Sequence, residues 1–414
     1  MFRKYSFWLL ILLLSVYVLS FVDRQIIGVL ATQIRADLNL SNTQIGLLYG
    51  TAFSFIYAFA GIPMGRLADR WSRRKVIAIA LFSWSLATVA SGFATSFAML
   101  VLMRLLLGVS QAMLSPAAYA ILAETFPPEK RGTVFSIYAS GIFIGIGASF
   151  LVGGTVANSY DWQTAMIVVG LPGLFFAPLV WLFVRDARRS PADKAQVGFF
   201  KGFLGDTLAQ LSYMLGKKTV WLHLTGFAAL SCIGYTVLAF ASTILGEVYQ
   251  RPDLIPHYGW FQLGVAGSVI MMGRLADSLA LRNKARRFWA GIIPAAGAVP
   301  FYALGLFASD GFSGFIFLGI AVLFSSSYNG VAAALIQFMV KPEMRALAGG
   351  LYLFVISVAG FGFGPPLAGF LMDHVFSGPL APSKALMSII AVCAAVAVTA
   401  FTFAMKTYEG DSES

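Results

Sequence analysis

Twelve stretches of this chain are each long and apolar enough to cross a bilayer, near 7–31, 44–67, 76–94, 97–123, 132–157, 162–184, 219–247, 256–276, 288–308, 311–338, 345–373 and 383–405. A helix needs roughly 20 mostly apolar residues to span the hydrocarbon core. Backbone in lipid must satisfy its own hydrogen bonds, which leaves helices or a closed barrel. These runs are twice the length of a barrel strand, about 10 residues. The reading is therefore an all-α membrane protein with twelve transmembrane helices. Charge agrees: 11% of the residues are charged, against roughly 25% in soluble domains.

The chain also repeats itself. Gly-Arg-Leu-Ala-Asp occurs at Gly65 to Asp69 after span 2 and again at Gly273 to Asp277 after span 8, an offset of 208 residues. Pro128-Glu129-Lys130-Arg131 after span 4 is matched by Pro342-Glu343-Met344-Arg345 after span 10, at an offset of 214. Two matches near half the chain length point to one folding unit used twice. The longest polar stretch, 185–218, separates the sets of six spans. The expected organisation is a six-helix bundle at 1–184, a linker at 185–218 and a second six-helix bundle at 219–414, related by pseudo-symmetry. Parallel repeats of this kind characterise transporters that bind their solute between the halves.

With the N-terminus in the cytoplasm, 24 of the 29 Lys and Arg fall in cytoplasmic loops and tails, three outside (Arg35, Arg251, Lys384) and two within spans (Arg24, Arg104). That bias places both termini in the cytoplasm. It also accounts for the net charge of +11 without nucleic acid, because the basic residues are spread over many loops. The opening run has no small-residue cleavage site and reads as a retained span, not a secretory signal.

Ionisable residues inside a membrane mark function by default. Asp23 and Arg24 are adjacent in span 1, about 100° apart on a helix, and pair poorly with each other. Asp23 lies about 12 Å from the outer end of span 1, and Arg104 about 10 Å from the outer start of span 4. The two are expected to lie close together, with Arg24 facing the central cavity. Arg104, Gly108 and Gln111 share one face of span 4 at i, i+4, i+7, so Gln111 should line that cavity about 10 Å further in. Protonating Asp23 would then free Arg104 and Arg24. A permanent structural ion pair is the alternative. Glu124 and Glu247 lie near span ends and read as interfacial.

The second half offers polar groups instead of charges, among them Tyr235, Tyr328, Asn329 and Tyr352; Tyr138 is a further cavity candidate in the first half. Cys232 and Cys393 stand far apart in sequence within apolar runs and read as packing residues. Three scattered histidines give no metal-ligand spacing. No nucleophile–base pair or phosphate loop is present, so no catalytic residue, metal or cofactor is expected. Gly141 to Gly147 in span 5 and Gly360 to Pro366 in span 11 occupy corresponding places and allow close, bendable contacts.

The first repeat continues as Gly65-Arg66-Leu67-Ala68-Asp69-Arg70-Trp71-Ser72-Arg73-Arg74. Placed between spans 2 and 3 and echoed between 8 and 9, it resembles the conserved loop of the major facilitator superfamily, with Ser72 where Gly is usual. Gly65 lets helices approach closely, and Asp69 at a helix end can bind the N-terminus of a neighbouring helix and nearby arginines. The resemblance implies a cytoplasmic gate formed by Gly65, Asp69, Arg70, Arg73, Arg74, Glu129, Arg131, Gly273, Asp277, Glu343 and Arg345, latched in the outward-facing state. Within the superfamily, residues 20–185 are most similar to the spinster-type branch, through Phe21-Val22-Asp23-Arg24-Gln25, Ala60-Gly61-Ile62-Pro63, Phe82-Ser83-Trp84-Ser85, Arg104 with Gly108, Ser115-Pro116-Ala117 and Phe126 to Arg131. That branch usually has Glu where Gln111 stands; Gln has the shape of protonated Glu but cannot titrate.

What the resemblance implies is a secondary transporter working by alternating access, proton-coupled through Asp23, Arg24, Arg104 and Gln111. Its substrate would be amphiphilic or lipid-like, with room for an anionic head, within a cavity of Arg24, Gln111, Tyr138, Tyr235, Tyr328, Asn329 and Tyr352. An organic-anion or sugar-acid symporter and a multidrug exporter are the alternatives. The expected partners are the substrate, protons and membrane lipids, with no nucleic acid, for a monomer in a bacterial inner membrane.

Overall fold

The structure, a computed structural model, describes residues 2–185, 210–341 and 344–412. Most of the expected linker therefore lies outside the described residues. Among the described residues, twelve helices can cross a membrane: α1 (Lys4–Val29), α2 (Asn42–Gly61), α3 (Arg73–Ser91), α4 (Phe97–Thr125), α5 (Glu129–Ser159), α6 (Trp162–Phe183), α7 (Lys218–Val248), α8 (Pro252–Ala280), α9 (Lys284–Leu306), α10 (Gly311–Gln337), α11 (Leu347–His374) and α12 (Ala381–Tyr408). Several starts are fixed by local caps. Ser72, Ser96 and Asp161 each accept from the backbone N–H three residues on, satisfying one orphan donor of the first turn.

Within the first six, α3 packs on α6 and α4, and α1 packs on α5; within the last six, α7 packs on α12 and α11, and α9 on α10 and α12. The two sets meet through α2 with α11, α5 with α8, and α1 with α7. An even number of crossings puts both termini on one face, the terminal face. The opposite, distal face carries the loops after each odd-numbered helix.

Two helices expected to be continuous are interrupted, and at matching places. α4 is α-helical over Phe97–Gln111 and Leu114–Thr125. α10 is α-helical over Gly311–Ser325 and Asn329–Gln337. The break after Gln111 and the break after Ser325 stand 214 residues apart, the offset of the loop repeat. Wide π turns occur in α2 (Leu47–Thr51), α5 (Ser149–Gly154), α7 (Ile244–Val248) and α11 (Ile356–Gly362). All four helices lie on the seam between halves, where such turns let a helix bend without losing its hydrogen bonding.

The seam is closed towards the distal face. Ser242 Oγ donates to Gly28 O at 2.7 Å, Thr51 Oγ1 to Gly362 O at 2.6 Å, and Asn158 Nδ2 to Pro252 O at 2.8 Å. Arg35 and Glu247 form an ion pair at 2.6 Å. Glycine permits this approach at two places: a Cβ on Gly46 would collide with the Pro365 carbonyl, and one on Gly369 with the Asn42 carbonyl. Towards the terminal face, a Cβ on Gly273 or Gly349 would meet nothing within 4 Å. The molecule is shut at the distal face.

Candidate substrate and proton site

Adjacent residues of α1 point to three different helices, as a 100° rotation per residue requires. Arg24 turns to α4 and α2. Its Nε and Nη2 donate to Gln111 Oε1 at 3.3 and 3.1 Å. Its guanidinium carbon lies 4.5, 4.5 and 4.8 Å from the ring centres of Phe21, Phe53 and Tyr57. Gln111 Nε2 in turn donates to Ser20 O at 2.9 Å, which fixes its amide orientation. Gln25 turns to α2 and α7, accepting from Tyr49 Oη at 2.7 Å and donating to Leu238 O at 3.3 Å. It thereby ties the two halves together.

Asp23 turns to α3. It is 1% exposed and lies beside Trp84 and Thr88. Among the described residues, its Oδ1 and the Trp84 Nε1 both lack a hydrogen-bond partner. Arg104 is the expected neighbour, but it meets Asp23 differently. Nη1 donates to the main-chain carbonyl of Asp23 at 3.2 Å, Nη2 to that of Arg24 at 2.9 Å, and Nε to Leu48 O at 3.2 Å. No ion pair within 4.0 Å joins the two side chains. Their matching depths do bring the two residues together, but through the main chain and not as an ion pair. Helix backbone intervenes, and carbonyls of α1 and α2 take up the guanidinium's donors.

An aromatic path runs from Arg24 in both directions. In the first half, Phe21 packs edge-on against Tyr17 at 5.2 Å, Tyr17 stacks on Tyr138 at 4.3 Å, and Tyr138 meets Tyr119 at 5.2 Å. In the other, Phe53 meets Phe361 at 5.6 Å, and Phe361 stacks on Tyr235 at 4.3 Å. Tyr328 and Tyr352 pack around Phe227 at 5.4 and 6.3 Å, with His223 beside it. Of the expected cavity residues, Tyr138, Tyr328 and Tyr352 are buried within these clusters in this conformation and do not stand open. Each ring finds more contact in an aromatic neighbour than an open cavity provides. Asn329 is exposed, at the break of α10, with Nδ2 donating to Ser326 O at 2.7 Å.

The gate candidates Gly65, Asp69 and Arg70 are described in their backbone alone, and Glu343 lies outside the described residues. Of the other gate candidates, Arg73 pairs with Glu124 within the first half. Arg131 Nε donates to Phe126 O at 3.1 Å, closing the end of α4. Glu129 lies exposed in the first turn of α5, and Asp277 and Arg345 are exposed. Glu247, expected at an interface, bridges the halves through Arg35. Cys232 and Cys393, distant in sequence, are neighbours across α7 and α12, both as free thiols. An apolar hollow of about 440 Å³ between α3 and α6 is lined by Ile79, Phe82, Pro178 and Trp181.

The model of the Major Facilitator Superfamily matches residues 13–360. The chain belongs to this superfamily. An MFS-type efflux pump of Mycolicibacterium smegmatis is 31% identical over 95% of this chain and 91% of its own length. A hexuronate transporter of Bacillus subtilis is 27% identical over 97% of this chain and 96% of its own. The fold matches the crystal structure of a bacterial homolog to the human lysosomal transporter Spinster, in an inward-facing and occupied conformation, with a TM-score of 0.83, 24% identity and 98% of each chain covered. The superfamily and the spinster-like likeness read from the sequence both hold. Arg24 and Gln111 are legible there as intramembrane polar residues. Gln25, Phe53 and Tyr57 emerge as site residues only in three dimensions. Gln25 carries the signal of a third consecutive polar residue within a span, whereas the aromatic residues carry none in a chain with 37 Phe.

Proposed function

We propose that this protein is a proton-coupled transporter of an amphiphilic anion and that Arg24 reads the negative charge. The observation that carries this reading is the setting of Arg24. Three aromatic faces surround its guanidinium, and Nε and Nη2 are held by Gln111 while Nη1 makes no hydrogen bond among the described residues. A cation so placed offers a charged donor for a carboxylate, phosphate or sulfonate next to a surface for an apolar body. With the terminal face in the cytoplasm, as the charge bias indicates, the present state is inward-facing. Rocking the halves about the π-turned seam would carry Arg24 to outward access.

Asp23 is the proton carrier in this scheme. A buried carboxyl with one oxygen unsatisfied gains a hydrogen-bond donor when protonated, and the neighbouring carbonyls of Asp23 and Arg24 are held by Arg104. Proton loading would therefore act on the α1–α3 contact. A second reading, a small organic-anion symporter, draws on the same Arg24 and on the named solute of the hexuronate transporter. An exporter reading draws on the efflux pump relative.

The test is flux in proteoliposomes with and without a pH gradient, using a lysophospholipid, a hexuronate and a lipophilic cationic dye. The reading expects gradient-dependent movement of an anion that is abolished in Arg24→Gln. Transport of the cation alone would sink it, and hexuronate alone would select the second reading.

A further inference from the structure

Helix α2 begins at Asn42, and its first turn is satisfied from two sources. Ser41 supplies a capping box: its Oγ accepts from Gln44 N at 3.1 Å, and Gln44 Oε1 accepts from Ser41 N at 2.9 Å. The remaining donors go to the other half of the molecule. Asp373, near the distal end of α11, accepts from Asn42 N at 3.1 Å and Asn42 Nδ2 at 2.8 Å through Oδ1. It accepts from Thr43 N at 2.7 Å and Thr43 Oγ1 at 2.6 Å through Oδ2. Gly369, one turn earlier on α11, has no side chain to hold the Asn42 carbonyl away.

We infer that Asp373 is the distal gate of the transport cycle: its carboxylate, docked on the N-terminus of α2, holds the inward-facing state closed on the outside. Three features support this role over a merely structural one. The four donors belong to one half and the acceptor to the other, so the contact exists only while the seam is shut. The carboxylate sits at the positive end of a helix and is reached by two main-chain N–H groups, an arrangement that favours the ionised form. The Ser41 box is local to α2 and survives opening, so water can replace Asp373 at Asn42 and Thr43 without unwinding the helix. The latch is strong when engaged and cheap to release. Arg35 and Glu247 close the same face through a single partly exposed contact, against four donors on Asp373.

The proposal rests on the rocking of the two halves and is independent of the substrate. Spin labels at Thr95 and Ser377, exposed in distal loops of opposite halves, report the opening in a Cys232→Ala, Cys393→Ala background. Wild type should show mainly the short distance, with a wide component that grows under a ligand or pH change. Asp373→Asn keeps the shape but removes the charge and one acceptor oxygen, and should raise the ratio of wide to short about tenfold. Asp373→Glu should restore part of the difference. Asn42→Asp, which sets a like charge against Asp373, should open the face as well and serves if Asp373→Asn folds poorly. A wide component present in wild type but unchanged in both variants overturns the role of Asp373 alone. A wild type that never widens under any condition overturns the rocking motion and the gate with it.

Discussion

Arg104 holds Asp23 by its backbone. The guanidinium donates to the carbonyl oxygens of Asp23, Arg24 and Leu48, pinning α4 to α1 and α2, while the Asp23 carboxyl points to Trp84 and Thr88 on α3. The two residues thus have separable tasks, and substitutions should separate them.

Arg104→Lys keeps the charge but cannot reach three carbonyls in one plane. Loss of these charge-assisted hydrogen bonds costs on the order of 2 kcal/mol. The detergent-solubilised variant should unfold at lower temperature, measured by tryptophan fluorescence or size-exclusion after heating. An unchanged midpoint would mean that water enters the site and replaces the lost donors.

Asp23→Asn should behave oppositely. Its carboxamide can donate where the carboxylate cannot, so thermal stability should hold while dependence of uptake on an imposed pH gradient is lost. Counterflow at equal pH on both sides should persist. A pH dependence equal to wild type removes Asp23 from the coupling.

Gln111→Glu introduces the acid usual in the spinster-type branch and places an ionised oxygen where Arg24 now finds a neutral one at 3.1 Å. An ion pair there competes with a bound anion, and the Glu can no longer donate to Ser20 O unless protonated. The apparent affinity for an anionic substrate should fall about tenfold at alkaline pH, one charge-assisted contact being worth roughly 1.5–3 kcal/mol, and recover on acidification. Binding that ignores pH in this variant would place the anion away from Arg24.

Gly46→Ala and Gly273→Ala form a contrasting pair. The first forces a methyl into the Pro365 carbonyl; the second meets open space. Overpacking costs about 1–3 kcal/mol, so Gly46→Ala should favour opening of the distal face by about tenfold or more in the spin-label distances. Gly273→Ala should leave the population within about twofold, since the added methyl meets no neighbour within 4 Å in this state.

Glu247→Gln should act more weakly than Asp373→Asn at the same face. A pair about a third exposed contributes within about 1 kcal/mol, and its effect should vanish in high salt. A salt-insensitive shift larger than that of Asp373→Asn would reverse the ranking of the two contacts.

Much of this protein is written in one dimension. Twelve apolar runs leave no option but helices in lipid, because a backbone without water must bond to itself. The Gly65 to Asp69 and Gly273 to Asp277 repeat shows one unit used twice. The few charges inside spans, Asp23, Arg24 and Arg104, mark a candidate site because lipid makes them costly anywhere else. Their depth along each helix even predicts their meeting.

Only the tertiary structure decided what each of these groups touches. Direction around a helix axis changes by 100° per residue, so a boundary error of one or two residues reassigns every partner. That is why depth alone sets Arg104 beside a carboxylate when it binds carbonyls, and why Tyr138, Tyr328 and Tyr352 lie inside aromatic clusters. The break in α4, at Ala112-Met113, is marked by Pro116, which has no N–H for the Ala112 carbonyl, whereas the break in α10, at Ser326 to Tyr328, falls in ordinary sequence with no proline beside it. Asp373 and Asn42 are 331 residues apart, and nothing local links a carboxylate at one helix end to the donors at the start of another. Packing of the two halves brings them together, and the same packing chose the face on which the molecule is shut.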